Sequence, residues 1–411
     1  MQMSRLVDEV YEGALRAMEV LRGVAKETPL DLSYTFSTMT GGEVYLKLEN
    51  LQKTGSFKVR GAYYKIWRLG EAARRGVVAA SAGNHAQGVA YAAKLLGVKA
   101  TIVMPTIAPL SKILATRSYG AEVILYGSLV DESIKRAHEI ERERGATFIH
   151  PFDDVDVMAG QGTIALELIG QLGGPPDVVV VPVGGGGLIS GISAVLKKRY
   201  GQRVKVIGVE PSYMPKYRAL IKEGRELGPE SYSSGLMDGM LVKGVGTLTR
   251  QVIEELVDDL VTVDDREVAK AMFLLLERAK TLAEGAGAAS LAAMLEGKVN
   301  VKGLKAVAII SGGNVDLTRI ANIINYELYS ARRLVKLVGA VPDQPGWLDR
   351  VLRRLAEARF NVVDIRHDRF APSIMPGWAM VEVLVEAPDP DAVPEAIEAL
   401  RREGLEFREV Y

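Results

Sequence analysis

Short, wholly apolar runs alternate with amphipathic stretches through the first 330 residues, and three of those runs stop at loops containing glycine. The runs at 77–81, 177–183, 204–209 and 305–310 have almost no polar alternation. A strand that is apolar on both faces must be covered on both faces, which is the situation of a parallel sheet between helical layers. Further strands are expected at 44–48, 100–104 and 122–125, with helices at 59–69, 86–96 and 189–199. In such α/β sheets ligands sit beyond the carboxyl ends of the strands. The loops after Ala80, Val183 and Ile310 all lie at such ends.

The pattern changes after residue 330. Strands are expected at 334–341, 361–369, 378–386 and 405–410, with helices at 347–358 and 391–402. That order, β-α-β-β-α-β, is a ferredoxin-like layout. The expected organisation is therefore a core of 1–330 and a small domain of 331–411.

Composition narrows the chemistry. The 411 residues include 51 basic and 51 acidic side chains, a formal net charge of zero that speaks against nucleic-acid binding or a polybasic membrane surface. No cysteine is present, so disulfides, thiolate nucleophiles and cysteine-held metals are excluded. The four histidines, His85, His138, His150 and His367, include no i,i+4 pair. With so little reactive chemistry of its own, an enzyme of this composition points to a bound cofactor. Acidic residues interrupt the N-terminal 20 residues and no run of about 18 apolar residues occurs, so neither a signal peptide nor a membrane span is expected and a cytoplasmic location is the default.

The string Asn50-Leu51-Gln52-Lys53-Thr54-Gly55-Ser56-Phe57-Lys58 joins an expected strand to an expected helix. Ser56 is placed to cap that helix, which puts Lys58 in its first turn. There the positive end of the dipole disfavours the protonated amine, and a neutral amine is what covalent capture of an aldehyde requires. Taken alone, Lys58 reads as an ordinary surface lysine. Its surroundings read otherwise. The string from Tyr45-Leu46-Lys47-Leu48-Glu49-Asn50 through Ser56-Phe57-Lys58 to Arg60-Gly61-Ala62, with Thr28-Pro29-Leu30 upstream, resembles the fold-type-II pyridoxal-phosphate enzymes, the threonine dehydratase family most of all. The resemblance implies a two-lobed, tryptophan synthase β-like core, with a small lobe of about 46–154 inserted in the large one. It implies that Lys58 holds pyridoxal 5'-phosphate and that Phe57 lies against the pyridine ring.

Three loops would serve such a cofactor. Gly184, Gly185, Gly186, Gly187 and Leu188 lie between a buried strand and a helix, where unhindered N–H groups make an anion site. The run fits neither a Walker A loop nor G-x-G-x-x-G. The resemblance gives it the cofactor phosphate. Ser81, Ala82, Gly83, Asn84 and His85 form a second strand-to-helix loop, and the resemblance gives it the substrate carboxylate, with Asn84 also on the cofactor's phenolic oxygen. His85 is either a base or, as Lys58 already offers one, an anchor of the loop. Ser311 ends the 305–310 strand, and the resemblance places its hydroxyl at the pyridine nitrogen. A neutral serine leaves the ring a weaker electron sink than a carboxylate would, which favours β-elimination over transamination.

Other positions qualify the resemblance. Serine racemases carry a serine as second base where this chain has Ala82, which disfavours racemisation. Glu210, in Val209-Glu210-Pro211, fits a cation ligand of some members, but the second carboxylate expected six residues later is Lys216, so Glu210 reads either as a metal ligand or as a structural strand-end residue. Asp238-Gly239 matches a loop lining the site. Glu284 resembles the glutamate of a Glu-Pro-Ser/Ala-Gly-Ala string, with Gly285 in place of the proline, or is a helix-end carboxylate. Pro342-Asp343-Gln344-Pro345-Gly346-Trp347-Leu348 resembles the ACT regulatory domain, implying a homo-oligomer and a branched-chain amino-acid effector, or the domain reads as a purely structural dimerisation module. The expected activity is conversion of L-threonine to 2-oxobutanoate and ammonia, and of L-serine to pyruvate. A serine racemase and a non-catalytic amino-acid sensor are the alternatives.

Overall fold

The protein is described from a computed structural model covering residues 3–228, 234–372 and 374–410. The chain divides into two compact units, Met1–Asp316 and Leu317–Tyr411. The boundary precedes the helix Leu317–Ser330, whereas the sequence pattern places it after that helix.

Among the described residues, the first unit holds ten strands. In chain order these are β1 (Leu30–Leu32), β2 (Glu43–Leu48), β3 (Val77–Ala80), β4 (Ala100–Met104), β5 (Glu122–Leu125), β6 (Thr147–Phe148), β7 (Val178–Pro182), β8 (Lys205–Pro211), β9 (Asp259–Val263) and β10 (Lys305–Ile310). They form a six-stranded sheet of order β1-β2-β10-β7-β8-β9 and a four-stranded sheet of order β5-β4-β3-β6. Every pairing is parallel except β1 with β2. The apolar runs explain this arrangement: β3, β4 and β7 are buried at every residue, as a sheet covered on both faces demands.

The helix Lys58–Leu69 packs against the helix Val155–Leu172 at two glycines. A Cβ on Gly160 would stand 2.6 Å from the Gly61 Cα, so only glycine permits the approach. A buried ionic cluster spans the same contact. Arg60 donates to both carboxylates, Glu49 (2.8 Å from Nε) and Glu167 (2.6 Å from Nη1), and Lys47 donates to Glu167 at 2.7 Å. All four side chains are at most 4 % exposed. Two cations against two anions keep the buried charge balanced, the condition on which such a cluster is tolerated.

The second unit carries β11 (Leu334–Pro342), β12 (Asn361–Asp368), β13 (Trp378–Glu386) and β14 (Phe407–Val410), an antiparallel sheet of order β12-β13-β11-β14. Its helices Trp347–Glu357 and Ala392–Arg402 fall where the sequence pattern places them, so the ferredoxin-like layout is present. Alternate residues of β13, Ala379, Val381, Val383 and Val385, are buried with Val351, Leu355, Val393 and Leu400 of the two helices. No helix of the described residues is long and apolar enough to cross a membrane.

Candidate functional site

Among the described residues of the first unit, six helix N-termini have no capping side chain: four are those of Lys58–Leu69, Asn84–Leu96, Gly187–Tyr200 and Gly285–Leu295, which concern the site, and the other two are those of Leu110–Ser118 and Val130–Arg144. Elsewhere the helices Arg5–Val20, Tyr34–Thr40, Val155–Leu172 and Asp265–Ala279 are capped by Ser4, Ser33, Asp154 and Asp264. Two more are capped from a distance: Glu210 accepts from the first turn of Lys216–Glu223, and Asp153 from that of Thr247–Leu256. Each uncapped start presents N–H groups without intrahelical partners, together with the positive end of a dipole.

Those four starts are brought together. Ser56 bridges Gly312 and the Phe57 N–H donates to the Ser311 carbonyl, which fixes the Lys58 helix at the end of β10. A Cβ on Gly88 would lie 3.1 Å from the Lys58 carbonyl carbon, so the Asn84 helix packs directly on the Lys58 turn. Asn84 Nδ2 donates to Glu284 Oε1 at 2.6 Å, joining the third start. Lys58 Nζ donates to the Pro151 carbonyl at 2.9 Å. The next residue, Phe152, packs on the glycine loop: a Cβ on Gly185 would stand 2.1 Å from its ring.

The Lys58 amine faces this junction and lies 5.1 Å from the centroid of the Phe57 ring. Burial disfavours its charge and pushes its pKa down to about 8, against an opposing pull from Glu284. It is thus far readier to act as a nucleophile and base than a surface lysine. Ser56 is not the cap that the sequence suggests. Phe57 occupies that position, and Ser56 is extended (φ −162°, ψ 163°) because it pairs with Gly312. The Ser56 hydroxyl is buried and has no hydrogen-bond partner.

The loop of Ser81, Ala82, Gly83 and Asn84 is half-buried, with the Gly83 N–H on Ser81 Oγ at 3.1 Å. His85 is buried, and Nε2 lies 2.9 Å from the Ile149 carbonyl, so that nitrogen carries the proton. Burial, reinforced by Lys58, pushes its pKa down to about 3, which keeps it neutral. Ser311 is buried with Oγ 3.4 Å from the Ala286 carbonyl. Gly184, Gly185, Gly186 and Gly187 precede Leu188 at the uncapped helix start, with Gly186 at φ +89°. Glu210 is fully buried with both oxygens committed to the Tyr217 and Arg218 N–H groups.

Several participants carry no motif. Asn314 donates to the Asn84 Oδ1 (2.8 Å) and to the Thr54 carbonyl (2.7 Å). Tyr217 donates to the Gly185 carbonyl at 2.7 Å. Pro151 and Phe152 lie in a stretch with no recognisable string. The one available signal was Asn314 itself, which follows Gly312 and Gly313 directly.

A family model described as pyridoxal-phosphate dependent enzyme matches residues 21–312. The L-threonine ammonia-lyase of Thermotoga maritima is 49% identical over 400 residues, 97% of this chain and 98% of its own length. The processed form of threonine deaminase isoform 2 from Solanum lycopersicum superposes with a TM-score of 0.72 at 36% identity, over 77% of this chain and 88% of that one. The serine racemase of Dictyostelium discoideum superposes with a TM-score of 0.69 at 37% identity, over 74% and 98%.

Proposed function

The chain belongs to the pyridoxal-phosphate dependent enzymes, and from that premise we propose that it is an ammonia-lyase that converts L-threonine to 2-oxobutanoate and ammonia. The observation that carries this is the amine of Lys58 set among four uncapped helix starts. The residues present fit the cofactor. An uncapped glycine-rich helix start suits a dianionic phosphate, and the orphaned Ser56 hydroxyl and the partly deprotonated Lys58 suit a polar group arriving between them.

Gly184, Gly185, Gly186, Gly187 and Leu188 would hold the phosphate and Ser311 the ring nitrogen, Phe57 would lie against the ring, and Lys58 would hold the aldehyde carbon. When bound, pyridoxal phosphate supplies the electron sink that lets the substrate Cα–H bond break. The substrate carboxylate is met by the loop of Ser81, Ala82, Gly83 and Asn84, whose N–H groups and helix dipole favour an anion. His85 holds that loop in place through Ile149. With substrate in place, the free Lys58 amine would take the Cα proton. The protonated Lys58 would pass its proton to the β-hydroxyl, which leaves as water; one water returns on hydrolysis, so the net products are 2-oxobutanoate and ammonia. Ala82 offers no second base, which directs the reaction to elimination rather than racemisation.

L-Serine, which lacks only the γ-methyl of threonine, is proposed as a second substrate giving pyruvate. The second unit is proposed as an ACT module. Its Asp343 to Gly346 turn leads into a helix without a capping side chain, a place for the carboxylate of a branched-chain amino acid in a homo-oligomer. The test is 2-oxo acid formation from L-threonine and L-serine by cofactor-loaded protein, with and without isoleucine or valine. Absence of any 2-oxo acid overturns the reading, and D-serine in place of pyruvate replaces it with racemisation.

A further inference from the structure

Glu210 sits where the resemblance offers a cation site, and its residues do not fit one. Both oxygens are engaged as a cap, by the Tyr217 N–H at 2.9 Å and the Arg218 N–H at 2.8 Å. Among the described residues no three His, Cys, Asp or Glu side chains are grouped to ligate a metal ion. In place of a second carboxylate stands Lys216, the first residue of the helix that Glu210 caps.

The Lys216 side chain is 3 % exposed and its Nζ donates to the Met240 carbonyl at 3.4 Å. Burial pushes its pKa down to about 8 against the pull of the Glu210 carboxylate, which leaves it mainly an ammonium at pH 7. Met240 backs the glycine loop: its Cα would lie 3.1 Å from a Cβ on Gly184. The neighbour of Lys216 holds the other side of the same loop. The Tyr217 hydroxyl donates to the Gly185 carbonyl at 2.7 Å, lies 2.8 Å from Thr249 Oγ1 and accepts the Gly246 N–H at 3.2 Å. One helix start, fixed by Glu210 from the end of β8, thus braces the loop on two sides.

We propose that Lys216 is a built-in cation: a positioning residue whose ammonium takes the place of a bound metal ion beside Glu210 and holds residues 238–240 against the glycine loop. The inference rests on the assignment of that loop to the cofactor phosphate. It follows that the wild-type protein needs no added metal, and that removal of the ammonium opens a site an external cation can fill.

The test uses the full chain after exhaustive chelation, alone and with Mg2+, Ca2+, K+ or methylammonium. Three quantities are read: cofactor affinity by absorbance titration, the melting temperature of the cofactor-free protein, and 2-oxo acid formation from L-threonine. For the wild type all three are expected to stay within about twofold or a degree or so across the cations. Lys216→Ala is expected to bind the cofactor about tenfold more weakly, with recovery on adding methylammonium or a divalent ion, and Lys216→Arg to retain most of the affinity. A wild type that needs a divalent ion after chelation, or whose cofactor-free form melts higher with one, overturns the proposal. So does a Lys216→Ala protein with undiminished affinity. If Lys216→Ala does not fold, the wild-type arm decides. A wild type that neither binds pyridoxal phosphate nor forms a 2-oxo acid fails the functional reading instead, and its melting arm still decides the cation.

Discussion

The side-chain amide of Asn84 donates to the Glu284 carboxylate at 2.6 Å, joining residues 200 positions apart at the mouth of two uncapped helices. The contact depends on Gly312, where a Cβ would stand 2.2 Å from Glu284 Oε1. Burial, with Asp238 adding to it, pushes the Glu284 pKa up to about 7, while Asn84, Lys112 and Lys58 pull it down. Glu284 is therefore a largely ionised carboxylate at pH 8, where its field favours the charged form of Lys58.

Glu284→Gln separates that field from the hydrogen bond, because the amide oxygen still accepts from Asn84. Cofactor capture by the cofactor-free protein needs an uncharged Lys58, so its rate should rise with pH and level off above about 8. With the carboxylate gone, no opposite charge offsets burial at Lys58, and the midpoint should move down by up to about one unit. Rapid-mixing absorbance between pH 6 and 10 reads it. A midpoint that stays or rises would show that Glu284 does not act on the lysine.

Lys58→Ala removes both the cofactor attachment and the proposed base. Turnover of L-threonine should fall by about 10³-fold or more, and the protein should lose the borohydride-stable cofactor label. The melting temperature of the cofactor-free form should change little, because loss of the hydrogen bond to the Pro151 carbonyl is offset by removal of a disfavoured buried charge. Turnover near the wild-type rate would refute the mechanism.

Much of the framework was legible in the sequence for a physical reason. Strands buried on both faces leave unbroken apolar runs, and their carboxyl ends must carry the ligand loops, so β3, β7 and β10 and the loops after them lie at the expected positions. The errors have causes of the same kind. Ser56 looks like a cap in isolation, but pairing with Gly312 some 250 residues later draws it into extended backbone. β9 escaped because Asp259 and Thr262 break its apolar run. Phe152 and Tyr217 act through contacts that only the fold creates, and no local string marks them, while Asn314 is marked only by the two glycines before it.

Arg60→Met should cost about 3–5 kcal/mol of stability, read from urea unfolding of the cofactor-free protein. The substitution leaves Glu49 and Glu167 buried with only Lys47 to share, and both carboxylates are almost fully enclosed. Lys47→Met should cost less, because Arg60 would still hold Glu167 through two nitrogens. Equal losses for the two variants would show that Arg60 is not the hub of the cluster.

Gly185→Ala tests whether the glycine loop is shaped by packing from behind. The new methyl would stand 2.1 Å from the rigid ring of Phe152, a contact that real Cβ atoms do not make. Either the loop or Phe152 must move, and Phe152 adjoins the Pro151 carbonyl that receives the Lys58 amine. Cofactor affinity should therefore fall more than tenfold, or about 1.4 kcal/mol. Gly174→Ala, at a glycine with open space around its Cβ position, serves as the control and should leave affinity unchanged. Adding Phe152→Leu to Gly185→Ala should restore part of the loss, because the smaller side chain makes room for the methyl. Failure of that rescue, with both proteins folded, would mean that the loop requires glycine for its backbone conformation rather than for its closeness to Phe152.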